Sequence, residues 1–415
     1  MAKVQIPYGK EKIEIEINDH NLQGVYFPND VEKREFATEF AKNLENANFA
    51  KFMEGDERVV FIVNDGTRPT PTAKVLKVIY DDIKDKDIYF IIATGAHRAP
   101  NDEEFEYIFG KEIYEDLKAK NRIWSHDAKK DEMVYLGKST NGTEMYLNKI
   151  VAEAKKTIVI GSVEPHYFAG YTGGRKGFLP GVASYETITQ NHKLALNKSA
   201  KALALDGNPV HEDMMDAMNV LKDIQVFSIM TILDKDHNVY ETTCGDLVGA
   251  FYDAIDSAKK VFCVDIEEKT DIVISVAPYP MDIDLYQSQK AIDNGKLALK
   301  EGGILIFVSQ CRMGIGGKTF FDLMASCATP QEVLDKIKVE YKLGYHKAGK
   351  MAEINTWAQT WGVTELPEDE IKAVHIKPFD SVEAALEKAF ELKGKDAKVT
   401  VLPLGSLSVP NILND

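Results

Sequence analysis

Six short apolar runs, each closing on a polar or glycine-bearing segment, constrain this chain more than any other feature. They are RVVFIVND (58–65), IYFIIATG (88–95), KTIVIGSV (156–163), DIVISVAPYP (271–280), GGILIFVSQC (302–311) and KVTVLPLG (398–405). An unbroken apolar run suits a strand buried on both faces, and helical stretches between such strands suggest parallel sheets covered by helices. At 415 residues the chain exceeds one ordinary core. The expectation is an α/β fold of two α/β domains with mainly parallel, Rossmann-like sheets and an active site in the cleft between them. The division expected is an N-terminal domain over 1–266 and a C-terminal domain over 267–415, whose last residues could pack back on the first domain. Residues 2–17 alternate around Gly9 and read as a hairpin, and Val31, Phe36, Phe40 and Leu44 predict an amphipathic helix over 30–46. Helices are also predicted over 288–300 and 330–344.

Charge and cysteine usage exclude several classes. Fifty basic against 65 acidic residues give a net charge of −15, which argues against sequence-independent nucleic-acid binding. No run of about 18 apolar residues predicts a membrane span. The opening MAKVQIPYGKEKIEIEI lacks the apolar core of a signal peptide, so a cytoplasmic location is expected. Cys244, Cys263, Cys311 and Cys327 form no CxxC pair and read as free thiols, so protein ligands to any metal should come from histidine.

In parallel α/β sheets ligands bind beyond the carboxyl ends of the strands. Three chemically rich segments lie there: DGTRP (65–69), TGAHR (94–98) and EPHYFAGYTGGRK (164–176). Arg68 offers a planar fork for a carboxylate or phosphate, or else braces its turn against Asp65. His97 suits general acid–base work, or else bonds to backbone. His166, Lys176 and His192 lie within one stretch; imidazole can bind metal or move a proton, and an amine can hold a cofactor covalently. The glycines there, Gly173 and Gly174 among them, allow close backbone approach and positive φ. The run MGIGGKTF (313–320) is not a Walker loop, because Arg312 stands where its first glycine belongs. No GxGxxG fingerprint opens either domain. Tyr286 and Gln287 open a helix, with Lys290 sharing the face of Gln287. Trp357 and Trp361 read as core packing for at least one of the two. The other six histidines, His211 among them, read as structural or surface residues.

Taken together, DGTRPTP (65–71), TGAHR (94–98), EPHYFAGYTGGRK (164–176), QNH (190–192) and YQSQK (286–290) resemble the nickel-dependent lactate racemase family, the 2-hydroxyacid racemases and epimerases, along nearly the whole chain. The resemblance implies an isomerase using nickel in a nickel pincer nucleotide, pyridinium-3,5-bisthiocarboxylic acid mononucleotide, covalently bound to Lys176. It implies His192 as the metal ligand and His97 and His166 as the acid–base pair. It implies Arg68, Gln287, Lys290 and Trp357 as substrate contacts, with Trp361 a competitor for the last position. Asp65, Thr67, Gly173, Gly174 and Tyr286 match positions around the cofactor. The implied reaction takes hydride from C2 of a small 2-hydroxyacid, passes through a planar 2-keto acid, and returns hydride to either face. Cofactor maturation proteins are implied partners.

Lactate leads as substrate, with malate or another 2-hydroxyacid as the alternative; Arg98 or Lys290 could receive a second carboxylate. Two other readings stay open: a metal-independent epimerase or hydrolyase using His97 and His166 alone, and a carrier that holds the nickel nucleotide without turnover. Nickel analysis and a chiral assay separate them.

Overall fold

A computed structural model describes residues 1–221 and 223–414. The chain divides into two compact units, one built from residues 30–261 and the other from residues 1–29 and 262–415. The expected boundary near 266 lies close to the observed one, but the first 29 residues join the C-terminal unit instead of the N-terminal domain. The hairpin of β1 (Ala2–Tyr8) and β2 (Glu11–Ile17) forms as expected around Gly9. Its inward side chains Val4, Ile6, Ile15 and Ile17 are buried in the core of the C-terminal unit. β3 (Leu22–Val25) then pairs into that unit's sheet.

In the central unit α1 spans Phe36–Asn46, shorter than the predicted 30–46. The Glu35 carboxylate accepts from the Ala37 and Thr38 N–H groups, and this cap starts the helix six residues late. β4 (Val59–Asn64), α2 (Thr72–Ile83), β5 (Ile88–Ala93) and β6 (Ile123–Ser125) follow. A hairpin of β7 (Met133–Lys138) and β8 (Glu144–Asn148) precedes β9 (Lys156–Ser162). Then come α3 (Tyr185–Lys193), α4 (Pro209–Asn219), β10 (Gln225–Leu233), β11 (Val239–Asp246) and α5 (Leu247–Phe262). The sheet order is β11-β10-β9-β4-β5-β6. All its pairs are parallel except β10–β11. The register sets Asn64 opposite Ala93 and Val63 opposite Ile160, so β4, β5 and β9 end at one edge and deliver the three rich segments side by side.

The C-terminal unit carries β12 (Cys263–Ile266), β13 (Thr270–Val276), α6 (Leu285–Gly295), β14 (Leu299–Val308), α7 (Tyr345–Ile354), β15 (Gln359–Val363), β16 (Lys377–Pro378), α8 (Val382–Lys393), β17 (Val399–Leu402) and β18 (Val409–Ile412). Its sheet is parallel throughout, in the order β16-β15-β14-β13-β17-β3. The helix predicted over 288–300 starts three residues earlier and ends at Gly295. The one predicted over 330–344 stops at Val339, so its last five predicted residues lie outside the helix. β18 pairs with β12, whose residues the expected division had placed in the first domain. All four cysteines are free, Cys311 and Cys327 buried and the other two half-buried. Among the described residues no helix is long and apolar enough to cross a membrane.

Candidate active site

Asp65 follows β4 directly and is buried. One carboxylate oxygen lies 2.8 Å from His97 Nδ1, and the other accepts the Thr67 N–H at 3.1 Å and its hydroxyl at 2.6 Å. Burial works against the charge. Hydrogen bonds from His97 and Thr67 and the charge of Arg68 outweigh it and hold the Asp65 carboxyl below its usual range. Asp65 therefore serves His97, and Arg68 forms no ion pair with it; the brace considered for Arg68 is not what the structure builds. His97 sits on a turn whose Gly95 has φ +56° and donates its N–H to the Gly181 carbonyl. Its side chain stays 43% exposed. Arg98, considered for a second substrate carboxylate, is already engaged: both its terminal nitrogens donate to Glu104, at 2.7 and 2.8 Å.

After β9 the chain folds back on itself. Pro165–His166 pairs with Gly170–Tyr171 in a miniature hairpin, and a 3-10 turn over Gly174–Gly177 carries Lys176. Gly170 must be glycine, because a Cβ there would lie 2.2 Å from the Ala204 carbonyl oxygen. His166 is buried, at 7% exposure. Its Nδ1 accepts the Ala169 N–H at 3.3 Å and its Nε2 lies 3.4 Å from Lys176 Nζ. Phe168 stands between the chemically active groups: its ring centroid is 4.6 Å from that of His166, 5.1 Å from that of His192 and 5.5 Å from Lys176 Nζ.

Gly173 and Gly174 have positive φ, as expected. Protein packing accounts for them: a Cβ on Gly173 would meet Val163 at 2.6 Å, and one on Gly174 would meet Phe251 at 3.1 Å. Arg175, between these glycines and Lys176, is buried. Its guanidinium donates to the Ala169 carbonyl at 2.8 Å and to those of Thr172 and Gly173 at 3.4 Å, and lies 4.2 Å from the centre of the Phe251 ring. Burial pulls its pKa down to about 9, with Tyr252 opposing. It thus pins the hairpin from below with carbonyl oxygens and an aromatic face.

His192 occupies the last turn of α3, whose N-terminus is capped by Ser184. Burial, then the charges of Lys176 and His97, push its imidazole down to about 3, so it is neutral at physiological pH. Its Nδ1 lies 3.2 Å from Asn191 Oδ1.

In the C-terminal unit, Tyr286, Gln287 and Lys290 form the half-exposed face of α6, with Ser288 and Gln289 turned inward. Asp284 caps this helix by accepting the Gln287 N–H at 2.7 Å. The MGIGG run packs behind it: a Cβ on Gly316 would meet Asp284 at 2.7 Å, and one on Gly317 would meet Tyr286 at 2.8 Å. These glycines therefore serve the seat of Tyr286. Trp361 is buried among Ile304, Ile306 and Val382 and stacks on Phe379. Trp357 packs on the other core, which Tyr286 also joins, and its indole donates to Glu353 at 3.0 Å. Trp361 is thus a core residue.

Sequence reasoning missed Phe168, Arg175, the partners of Asn191 and also Lys347. The last is a buried lysine on α7 whose ammonium lies 4.1 Å from the centre of the Tyr286 ring and bonds the Tyr286 carbonyl. Phe168 and Arg175 lie inside the quoted EPHYFAGYTGGRK block; Lys347 had no comparable signal.

The lactate racemase N-terminal domain family matches residues 8–204, and the lactate racemase C-terminal domain family matches residues 266–409. Lactate racemase from Thermoanaerobacterium thermosaccharolyticum is 30% identical over 431 aligned residues, covering 98% of both chains. Lactate racemase from Lactiplantibacillus plantarum is 31% identical over 424, covering 98% of this chain and 99% of the relative. The structure of the lactate racemase apoprotein from T. thermosaccharolyticum superposes with a TM-score of 0.92 at 29% identity, over 99% of this chain and 100% of that one. A Thermotoga maritima protein shares the fold at a TM-score of 0.70 and 16% identity, over 90% of this chain and 98% of that one.

Proposed function

The chain belongs to the lactate racemase family and is an isomerase, and from that premise we propose that it racemises a small 2-hydroxyacid, lactate first. One observation carries the reading. A single buried ring, Phe168, contacts His166, His192 and Lys176 together, so a proton-transfer base, a metal-ligand candidate and a tethering amine share one wall.

The donor set fits a nickel pincer nucleotide. Among the described residues no group of three His, Cys, Asp or Glu side chains is placed to hold a metal. His192 offers one neutral imidazole, so a metal there needs further donors carried by a bound organic group, as sulfur donors would be. Lys176 would hold that group covalently and His192 would complete the metal's coordination. When bound, the nickel nucleotide supplies an acceptor for the C2 hydrogen as hydride.

The chain's own residues do the rest. The Asp65 carboxylate fixes the proton of His97 on Nδ1, which leaves Nε2 to take the hydroxyl proton from one enantiomer. His166 serves the mirror enantiomer. A covalent link at Lys176 Nζ removes an ammonium charge that otherwise stands 3.4 Å from His166. Arg68 binds the substrate carboxylate through two parallel N–H donors. Gln287, Lys290 and Trp357 are assigned to substrate, and Tyr286, Thr67 and Asp65 to the cofactor's surroundings, on their motif match. Cofactor maturation proteins are the expected partners, and the cytoplasm the expected location.

The test is a chiral assay on protein produced together with such maturation proteins, using C2-deuterated lactate and a panel of other 2-hydroxyacids. Slowed turnover with the label kept at C2 supports the reading. Rapid exchange of C2 hydrogen with solvent, in protein free of nickel, would replace it with the metal-independent epimerase.

A further inference from the structure

We infer that Asp213, acting through Asn191, fixes the proton of His192 on Nδ1 and so selects Nε2 as its metal-binding nitrogen. The inference deepens the reading of His192 as a nickel ligand and rests on it for its purpose, though not for its geometry.

Asp213, on α4, is fully buried. One of its oxygens accepts the Ser139 hydroxyl and the other accepts Asn191 Nδ2 at 2.8 Å. Ser139 Oγ itself accepts the Thr143 N–H at 3.0 Å, so its one hydrogen is left for Asp213. Asn191 is also fully buried. Its amide nitrogen faces two acceptors, Asp213 and, at 3.3 Å, the Val210 carbonyl. An amide rotated by half a turn would set its carbonyl oxygen against both, with no hydrogen between them. The observed rotamer is therefore enforced, and Asn191 Oδ1 must face His192 Nδ1, 3.2 Å away. A carbonyl oxygen only accepts, so Nδ1 carries the hydrogen. In a neutral imidazole the lone pair then sits on Nε2. A hydrogen bond of this kind, from the second ring nitrogen of a ligating histidine, sets both tautomer and ring orientation. Here the chain runs from Thr143 through Ser139, Asp213 and Asn191 to His192, and joins the β7–β8 hairpin and α4 to the last turn of α3.

Asn191 and Asp213 are positioning residues in this account. The test uses cofactor-free full-length protein with ¹⁵N-histidine and a long-range ¹H–¹⁵N correlation spectrum at neutral pH, the His192 signals being assigned by their loss in His192→Gln. Wild-type protein should show His192 protonated on Nδ1. Asn191→Leu, which keeps the branching at Cγ but removes the acceptor, should move the population toward the Nε2-protonated form, and Asp213→Leu should do so in part. Asn191→Leu holoprotein should bind nickel about 10- to 100-fold more weakly. His192 protonated on Nε2 in wild-type protein overturns the inference, whether or not either variant folds. An unchanged tautomer in a folded Asn191→Leu also overturns it. A shifted tautomer with undiminished nickel affinity upholds the placing of the proton by Asp213 and Asn191 but overturns its purpose, and with it the reading of His192 as a metal ligand.

Discussion

His97 and His166 are assigned the same chemistry, yet the chain builds their surroundings in opposite ways. His97 is 43% exposed and rests against a buried carboxylate, Asp65, which Thr67 holds twice over. His166 is 7% exposed, walled by Tyr167 and Phe168, and lies 3.4 Å from the Lys176 amine. Below that hairpin lies a buried cation, Arg175. One histidine thus faces a carboxylate at 2.8 Å and the other an amine at 3.4 Å. The difference teaches that two bases serving mirror-image substrates need not be mirror images themselves. Enantiomers have equal free energy, so kcat/KM must be the same in both directions whatever the asymmetry. The asymmetry can appear only in how kcat and KM divide it.

The largest effect expected is on the amine side. Lys176→Ala should carry no covalent adduct by intact mass and show no racemisation above background. His97→Ala and His166→Ala should each lower kcat by about 10²–10⁴-fold while keeping the adduct. A chiral assay run from both enantiomers should find kcat/KM equally reduced in the two directions but kcat and KM unequally shifted. Near wild-type turnover in either variant would make that histidine structural and end the comparison. Asp65→Asn should cost about 10²-fold in kcat, since an amide can turn its N–H toward Nδ1 and hold the wrong tautomer. Because the Asp65 pKa is lowered on folding, its stabilisation is present above the ordinary carboxylate pKa and fades as pH falls through that range. The stability gap between wild type and Asp65→Asn, measured by urea unfolding, should therefore close in acid.

The smallest effect expected tests the cationic floor. Burial, then the Arg175 charge, push His211 down to about 3. The unfolded chain binds that proton at about 6.5. With the folded pKa below the unfolded one, stability is lost as pH falls from about 6.5 toward 3, by up to about 1.4 kcal/mol per pH unit. His211→Phe should flatten this slope in the cofactor-free protein. An unchanged slope would remove His211 from the account.

Much of this was legible in sequence, for physical reasons that also mark the limits. Doubly buried strands must be apolar throughout, so the parallel sheets were visible as runs, and the rich segments at their ends marked the ligand edge. The pairing of Asp65 with His97 was not visible, because it depends on β4 and β5 being neighbours in space. The alternation of β1 and β2 shows a strand with one buried face, but not which sheet it covers; hence the misplacement of the first 29 residues. Gly173 and Gly174 take the positive φ expected of them, but that Val163 and Phe251 stand in their Cβ directions was not visible in the sequence. Trp357 and Trp361 are four residues apart, and only the structure shows that they pack into different cores, on opposite faces of one sheet. Asp213 was silent, since a lone acidic residue on a helix carries no pattern until its partners are in place.

The central claim is that Lys176 and His192 together hold the group that does the chemistry. Peptide mapping of active holoprotein, with nickel measured on the same sample, tests it most directly. The account predicts one adduct per chain, located on Lys176, and a nickel content that rises and falls with activity. Fully active protein with an unmodified Lys176 would contradict it.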